Sequence, residues 1–293
     1  MMNKKDHSLL VYPLQYTNSN SDKMDLPQNT GETGNFIMSF KNLNLINPII
    51  RAVTEAGYSK PTEIQYSAIP HILAGNDIIA CAKTGTGKTA AFAMPILQLL
   101  KKHTPEHKEI RTLILTPTRE LAIQIEENLG IYSKYLPLSQ LSIFGGVLAG
   151  GQLAALRKRV DILVATPGRL LDLVNQRHID LSKLEILVLD EADRMLEMEC
   201  VNDVKKILKL VPQKRQTLFF SATMSPDIRK FAESILNNPV EVTGNSVSSK
   251  SQRTGAEGIA VSFGDGEELT DLKKIQNLIG LKMAVAQQKT TLI

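Results

Sequence analysis

A chain of 293 residues with 43% hydrophobic content and a net charge of +4 has room for one large α/β domain or two smaller ones, with a sizeable core. No apolar run reaches the ~18–20 residues of a membrane span. The start, Met1 to Lys5, lacks the apolar stretch of a secretory signal, and two cysteines, Cys81 and Cys200, give neither metal-ligand spacing nor a disulfide framework. A reduced, cytoplasmic protein is expected, and the mild positive charge permits an anionic polymer as partner without arguing for one.

Residues 1–37 are rich in Asn, Ser, Asp and Thr and lack sustained periodicity, so they read as a disordered leader. Met38 reads as a second candidate start. Phe40–Pro70 reads as helix, turn, helix. Asn47-Pro48 opens the first helix with proline in its first turn, and Gly57 ends it. Pro61 opens the second, and Pro70 closes it or tightens its last turn. From Asp77 strands and helices alternate. Strands are expected at Ile78–Ala82, Thr112–Leu115, Leu141–Phe144, Asp161–Ala165, Ile186–Leu189 and Thr217–Phe220. Helices are expected between and after them, near 88–100, 118–130, 149–158, 168–176, 201–210 and 226–236. That pattern predicts an α/β fold, a mostly parallel sheet covered on both faces, with ligands at the carboxyl ends of its strands.

The motifs fall at those ends. After the first strand come Ala82-Lys83-Thr84-Gly85-Thr86-Gly87-Lys88-Thr89 and an apolar helix, the context of a phosphate-binding loop. Its glycines admit positive φ, its N–H groups and helix start face an anion, Lys88 reaches phosphates and the Thr89 hydroxyl suits Mg²⁺. Ala82 stands where the strict pattern has glycine. Thr116-Pro117-Thr118-Arg119-Glu120-Leu121, Gly145-Gly146 and Thr166-Pro167-Gly168-Arg169 follow the next three strands. Each alone reads as a plain loop or helix start; three on one edge read as a groove lined for nucleic-acid phosphates. Asp190-Glu191-Ala192-Asp193 follows the fifth strand. Without the phosphate loop it reads as a solvated acidic helix start; with it, Asp190 holds Mg²⁺ and Glu191 polarises an attacking water. Ser221-Ala222-Thr223 follows the sixth, where two hydroxyls could link Asp193 to the nucleic-acid side, although Ser225 before Pro226 supplies a helix cap equally well.

Together with Gly57-Tyr58, Pro61-Thr62 and Gln65, these motifs resemble the DEAD-box family of ATP-dependent RNA helicases, seven elements in the family's order over about residues 38–242. The wording around Met38-Ser39-Phe40 and Gly57–Pro70 most resembles the bacterial RhlE-like branch. The resemblance implies the first RecA-like domain of such an enzyme, a P-loop NTPase. Gln65 would then read the adenine edge, with Phe40 and Tyr58 near the base and Thr62 supporting the turn. Residues Lys83, Thr84, Gly85, Thr86, Gly87, Lys88 and Thr89 would hold ATP, Thr89 and Asp190 Mg²⁺, and Lys88, Asp190 and Glu191 would serve hydrolysis. Pro117, Thr118, Arg119, Gly145, Gly146, Thr166, Pro167, Gly168 and Arg169 would lie along the RNA backbone, with little sequence specificity. Asp193, Ser221 and Thr223 would couple the two sites. The family usually has Gln at the place of Lys83.

The chain also departs from the family. The family's last motif, His-Arg-x-Gly-Arg-x-x-Arg, is absent: no His follows His178 and only Arg253 follows Arg229. Residues 253–263 nonetheless resemble the segment after that motif, and Glu267–Ile279 carries the apolar stripe of a helix. The expected organisation is a leader (1–37), an adenine-recognition segment (38–70), a RecA-like domain (71–243) and a loosely packed remnant of a second domain (244–293). The expected activity is ATP-dependent RNA unwinding impaired by loss of most of the second domain. The alternatives are an ATP- and RNA-binding half without turnover, a DNA helicase or other P-loop motor, and a nonfunctional fragment.

Overall fold

The computed structural model describes residues 39–101, 108–198 and 200–244, and outside them three strands, β1 (His7–Pro13), β9 (Ile259–Asp265) and β10 (Ala284–Gln287). The chain divides into two compact units, Gly34–Val247 and a second drawn from Met1–Thr33 and Ser248–Ile293.

The large unit is built on seven strands: β2 (Ile78–Cys81), β3 (Thr112–Leu115), β4 (Gln140–Ile143), β5 (Ile162–Ala165), β6 (Ile186–Leu189), β7 (Gln216–Ser221) and β8 (Val240–Thr243). Their order is β4-β5-β3-β6-β7-β2-β8, and every pairing is parallel. The inner strands are apolar at nearly every position because both faces are covered. Successive residues serve opposite cores. Ile78, Ala80, Ile114, Val188, Leu218 and Phe220 enter one cluster; Ile79, Leu113, Leu115, Leu187, Leu189 and Phe219 enter the other. This is the period of two expected of strands.

Helices α1 (Asn47–Glu55), α2 (Glu63–Leu73), α3 (Lys88–Lys101) and α4 (Arg119–Tyr132) pack into the first cluster. Helices α6 (Pro167–Asn175), α7 (Ala192–Glu197), α8 (Val201–Leu208) and α9 (Pro226–Ile235) pack into the second, and α5 (Ala149–Leu156) buries none of its residues. Pro70 does not end α2, which continues to Leu73; proline lies within the last turn. In this unit β8 and α7 were not expected from sequence. The edge strand β8 buries only Val242, and α7 is six residues long.

In the second unit β1 is the middle strand of a three-stranded antiparallel sheet, β10-β1-β9. His7 pairs with Asp265 and Pro13 with Ile259 on one side, Ser8 with Gln287 and Val11 with Ala284 on the other. The expectation of a structureless leader therefore does not hold at His7–Pro13. Leu9-Leu10-Val11-Tyr12 favours a strand but is too short for periodicity, and its partners are remote in sequence. The rest of residues 1–37, Met38, and the helix expected at Glu267–Ile279 lie outside the described residues. No helix among the described residues is long and apolar enough to cross a membrane.

Candidate functional site

The strand order puts β7 between β2 and β6, so the phosphate loop and the acidic strand end flank Ser221–Thr223. The loop turns at Gly85 (φ +83°) and Gly87 (φ +90°) before α3 begins at Lys88. Thr62 caps α2 in a capping box: its amide donates to Gln65 Oε1 at 3.0 Å while its hydroxyl accepts from the Gln65 amide. Gln65 Nε2 donates to the Gly87 carbonyl at 3.2 Å, so the start of α2 is fastened directly to the phosphate loop. A Cβ at Gly87 would stand 2.4 Å from Gln65 Nε2 on a backbone of φ +90°, so a side chain there would strain the loop and push Gln65 off its bond.

A pocket of about 350 Å³ opens between these parts. Tyr58, Thr62, Gln65, Thr84, Gly85, Gly87, Lys88, Thr89, Asp190 and Glu191 line it; Phe40, Lys83 and Thr86 do not. Phe40 is buried in the first core cluster. The Thr86 hydroxyl donates to the Lys83 carbonyl at 2.7 Å and stiffens the outer side of the loop. Lys88 is 6% exposed, and its Nζ is buried without a hydrogen-bond partner. A buried ammonium left unpaired is costly, and an anion in the pocket would satisfy it.

Asp190 follows β6, its amide donating to the Leu115 carbonyl at 2.9 Å. Burial pushes its carboxyl up to about 6; Glu191 and Asp193 add to the rise and Lys88 opposes it. Glu191 takes the left-handed conformation (φ 52°, ψ 49°), unusual for a residue with a side chain, and this sharp corner brings two acids side by side into the pocket. Arg194 Nη1 donates to Glu191 Oε2 at 2.9 Å. Among the described residues no group of three acids, histidines or cysteines could hold a metal by itself. One buried carboxylate and the Thr89 hydroxyl beside a phosphate site instead suit Mg²⁺, which takes its other ligands from phosphates and water.

Asp193 Oδ2 accepts from the amides of Ala222 (3.1 Å) and Thr223 (2.9 Å) and from the Thr223 hydroxyl (3.0 Å). Burial raises its pKa, but the bonds from Thr223 outweigh it, and the carboxyl titrates below its ordinary value. The Ser221 hydroxyl donates to the Thr223 carbonyl at 2.7 Å and also helps to hold the Asp193 carboxyl down.

The neighbouring ends of β3, β5 and β4 form the second part of the edge. Thr118 caps α4, its hydroxyl accepting from the Leu121 amide at 3.3 Å, and Thr166-Pro167 begins α6. Arg119 is half exposed and paired with Glu120 at 3.1 Å. Arg169 Nη2 donates to the Val147 carbonyl at 2.9 Å and its Nη1 to Gln152 Oε1 at 3.3 Å. Gly146 needs its φ of +79°, but Gly145 and Gly168 do not have positive φ. A Cβ at Gly145 would meet nothing within 4 Å, and one at Gly168 only Asp203 Oδ2 at 3.8 Å. The fold requires glycine at neither place; both leave room for something outside the chain to approach closely.

Sequence reasoning missed one wall of the pocket. Leu121, Gln124, Asn128 and Tyr132 of α4 line it, a stripe at spacing three, four and four. The spacing was readable, but an amphipathic helix turns such a stripe to the core as readily as to a ligand. Tyr132 meets Tyr58 edge to face at 6.0 Å with their hydroxyls 3.2 Å apart, and burial raises its phenol well above the ordinary value.

A family model described as DEAD/DEAH box helicase matches residues 62–231, more than half of the chain. The ATP-dependent RNA helicase DeaD of Mycobacterium tuberculosis (strain ATCC 25618 / H37Rv) is 43% identical over 226 residues, which cover 77% of this chain and 39% of the relative. Its namesake from Escherichia coli (strain K12) is 45% identical over 208 residues, 71% of this chain and 33% of the relative. The chain thus spans well under half the length of these relatives. A crystal structure of a DEAD box protein from the hyperthermophile Methanococcus jannaschii matches with a TM-score of 0.66 at 38% identity, covering 71% of this chain and 56% of that one. These matches do not single out the RhlE-like branch. They do match the expected RecA-like architecture, a parallel sheet with helices on both faces.

Proposed function

The chain belongs to the DEAD/DEAH box helicase family, and from that membership we propose that it binds Mg²⁺-ATP in the pocket around Lys88 and an RNA strand along the ends of β3, β4 and β5, as part of an ATP-dependent RNA helicase. The observation that carries this reading is the Lys88 ammonium, buried, without a hydrogen bond, on the same pocket as Asp190 and Glu191. Lys88 and the loop amides of Thr84–Thr89 hold phosphates; Thr89 and Asp190 hold the metal. Mg²⁺, when bound, neutralises charge on the transferred phosphoryl oxygens. Glu191 orients the attacking water and accepts its proton. Gln65 and Tyr58 face the nucleoside end of the pocket. Thr118, Arg119, Gly145, Gly146, Thr166 and Gly168 serve the RNA backbone, with 2′-hydroxyl contacts favouring RNA over DNA, and Arg169, bonded to the Val147 carbonyl and Gln152, holds the loop beside them. Asp193 and Thr223 join the two. Residues 38–70 act as the adenine-recognition segment, 71–243 as the catalytic domain and 244–293 as part of a second domain. A reducing, cytoplasmic compartment suits Cys81 and Cys200, both free.

A second reading is favoured by the pocket's own lining. Arginine fingers contribute ~10³–10⁵ in nucleotide hydrolysis, and no arginine lines the pocket among the described residues. The second reading is therefore an ATP- and RNA-binding half without turnover of its own. The test is nucleotide titration of the purified chain with and without Mg²⁺, beside Lys88→Ala. Binding that needs Mg²⁺ and weakens at least tenfold in Lys88→Ala is expected; equal binding by both proteins would sink the reading. RNA-stimulated hydrolysis then separates the enzyme from the binding half.

A further inference from the structure

The loop from Gly145 to Leu148, between β4 and α5, exposes two apolar side chains. Val147 is 41% exposed and Leu148 92%. The loop does not swing freely. Arg169 Nη2 holds the Val147 carbonyl, Arg169 Nη1 holds Gln152, and Gln152 Nε2 donates to the Phe144 carbonyl at 3.1 Å. One arginine and one glutamine thus fasten the loop on both sides of Gly145-Gly146. A leucine held almost wholly in water brings the fold nothing, since burying it would be worth more than exposing it. The open space at Gly145 points the same way: the loop is shaped for an outside surface.

We propose that Leu148, with Val147 beside it, is an apolar RNA contact that packs on ribose or base faces, and that Arg169 is a positioning residue that presents it. This rests on the RNA reading of the same edge. The occupant follows from continuity: Val147-Leu148 adjoins Gly145-Gly146 and is tied through Arg169 to the Thr166-Pro167 helix start, on the edge assigned to RNA phosphates. Phosphate contacts release counterions and weaken with salt; an apolar contact on a base or sugar does not. A strand held by both grips more evenly across ionic strengths.

The test is affinity of the full chain for a short fluorescein-labelled oligouridylate over a series of potassium chloride concentrations. Leu148→Ser should weaken binding roughly three- to tenfold, the scale of partly burying one leucine, with the slope of log affinity against log salt unchanged. Arg119→Gln should make that slope shallower by about 0.7. Arg169→Gln combined with Leu148→Ser should be scarcely weaker than Leu148→Ser alone, because both remove the same contact. Unchanged affinity in Leu148→Ser, or a slope shifted as in Arg119→Gln, overturns the apolar contact. Additive losses in the double variant overturn the positioning role. A parent that sediments as a dimer, dissociated by Leu148→Ser with RNA affinity intact, makes the patch a protein interface and overturns the proposal. A parent that binds no RNA at any salt overturns this contact together with the RNA reading; a parent that binds and is indifferent to Leu148 overturns this contact alone.

Discussion

At the scale of single residues, the site keeps groups that the fold would be better without. Lys88 Nζ is buried and has no hydrogen bond. A buried ammonium with no hydrogen bond lowers stability even with the Asp190 carboxyl nearby, and binding sites retain such costs for function. Lys88→Met, matched in length and apolar, should raise the melting temperature without nucleotide by a few degrees, about 1 kcal/mol. Asp190 would then take up its proton more readily, since burial already lifts it to about 6. The same variant should lose the thermal shift that Mg²⁺-ATP gives the parent; differential scanning fluorimetry reads both, and a retained shift would contradict the role of Lys88. The glycines separate in the same way. Gly87→Ala, at φ +90° and 2.4 Å from Gln65 Nε2, should both destabilise the protein and weaken nucleotide binding at least tenfold. Gly145→Ala has ordinary φ and empty space around it. It should melt within about 0.5 kcal/mol of the parent, as surface substitutions do, yet bind oligouridylate measurably more weakly. Equal RNA affinity would remove the case for close approach there.

At the scale of elements, legibility followed burial. β3 and β6 matched their expected bounds residue for residue, because a strand covered on both faces is apolar throughout. β8 escaped because an edge strand with only Val242 buried looks like the loop that precedes it. α7 escaped because it is short and starts from the strained corner at Glu191, a conformation that composition does not announce. The phosphate loop and the acidic strand end were legible as motifs, but the Gln65 bond to Gly87 and the α4 wall were not, since both depend on how separate helices meet. One such meeting makes a pH prediction. Glu55 on α1 accepts from Lys134 Nζ (2.8 Å), the Tyr135 hydroxyl (2.6 Å) and Arg51 Nε (3.0 Å), which hold its carboxyl down at about 2 against an ordinary 4.5. A lowered folded pKa contributes stability above the unfolded value and loses it as pH falls through the folded one. Glu55→Gln should therefore melt earlier than the parent at neutral pH, and the gap should close as the pH falls from 4.5 toward about 2. A gap independent of pH would mean that the network acts through packing alone.

At the scale of the whole molecule, the two units differ in how their strands find partners. The large sheet draws every strand from one contiguous stretch of chain. The small sheet joins opposite ends of the sequence through β1, which pairs on both sides. Leu10→Pro removes an amide from that middle strand, where proline is not tolerated. Hydrogen exchange should then show the amides of β9 and β10 unprotected while those of β2 to β7 keep their protection. Retained protection in β9 and β10 would show that they do not depend on β1.

That pairing also sets an order of assembly during synthesis. The seven-stranded sheet has all of its strands once Thr243 has emerged from the ribosome, and it can fold then as a unit. β1 emerges about 250 residues ahead of its partners, which end at Asp265 and Gln287. At the usual ~5–20 residues per second, His7–Pro13 waits roughly 10–50 s as an unpaired strand. Through that interval Leu9-Leu10-Val11-Tyr12 offers an open, apolar edge to any neighbouring nascent chain. The segment that closes the small sheet thus spends that interval as a target for a chaperone.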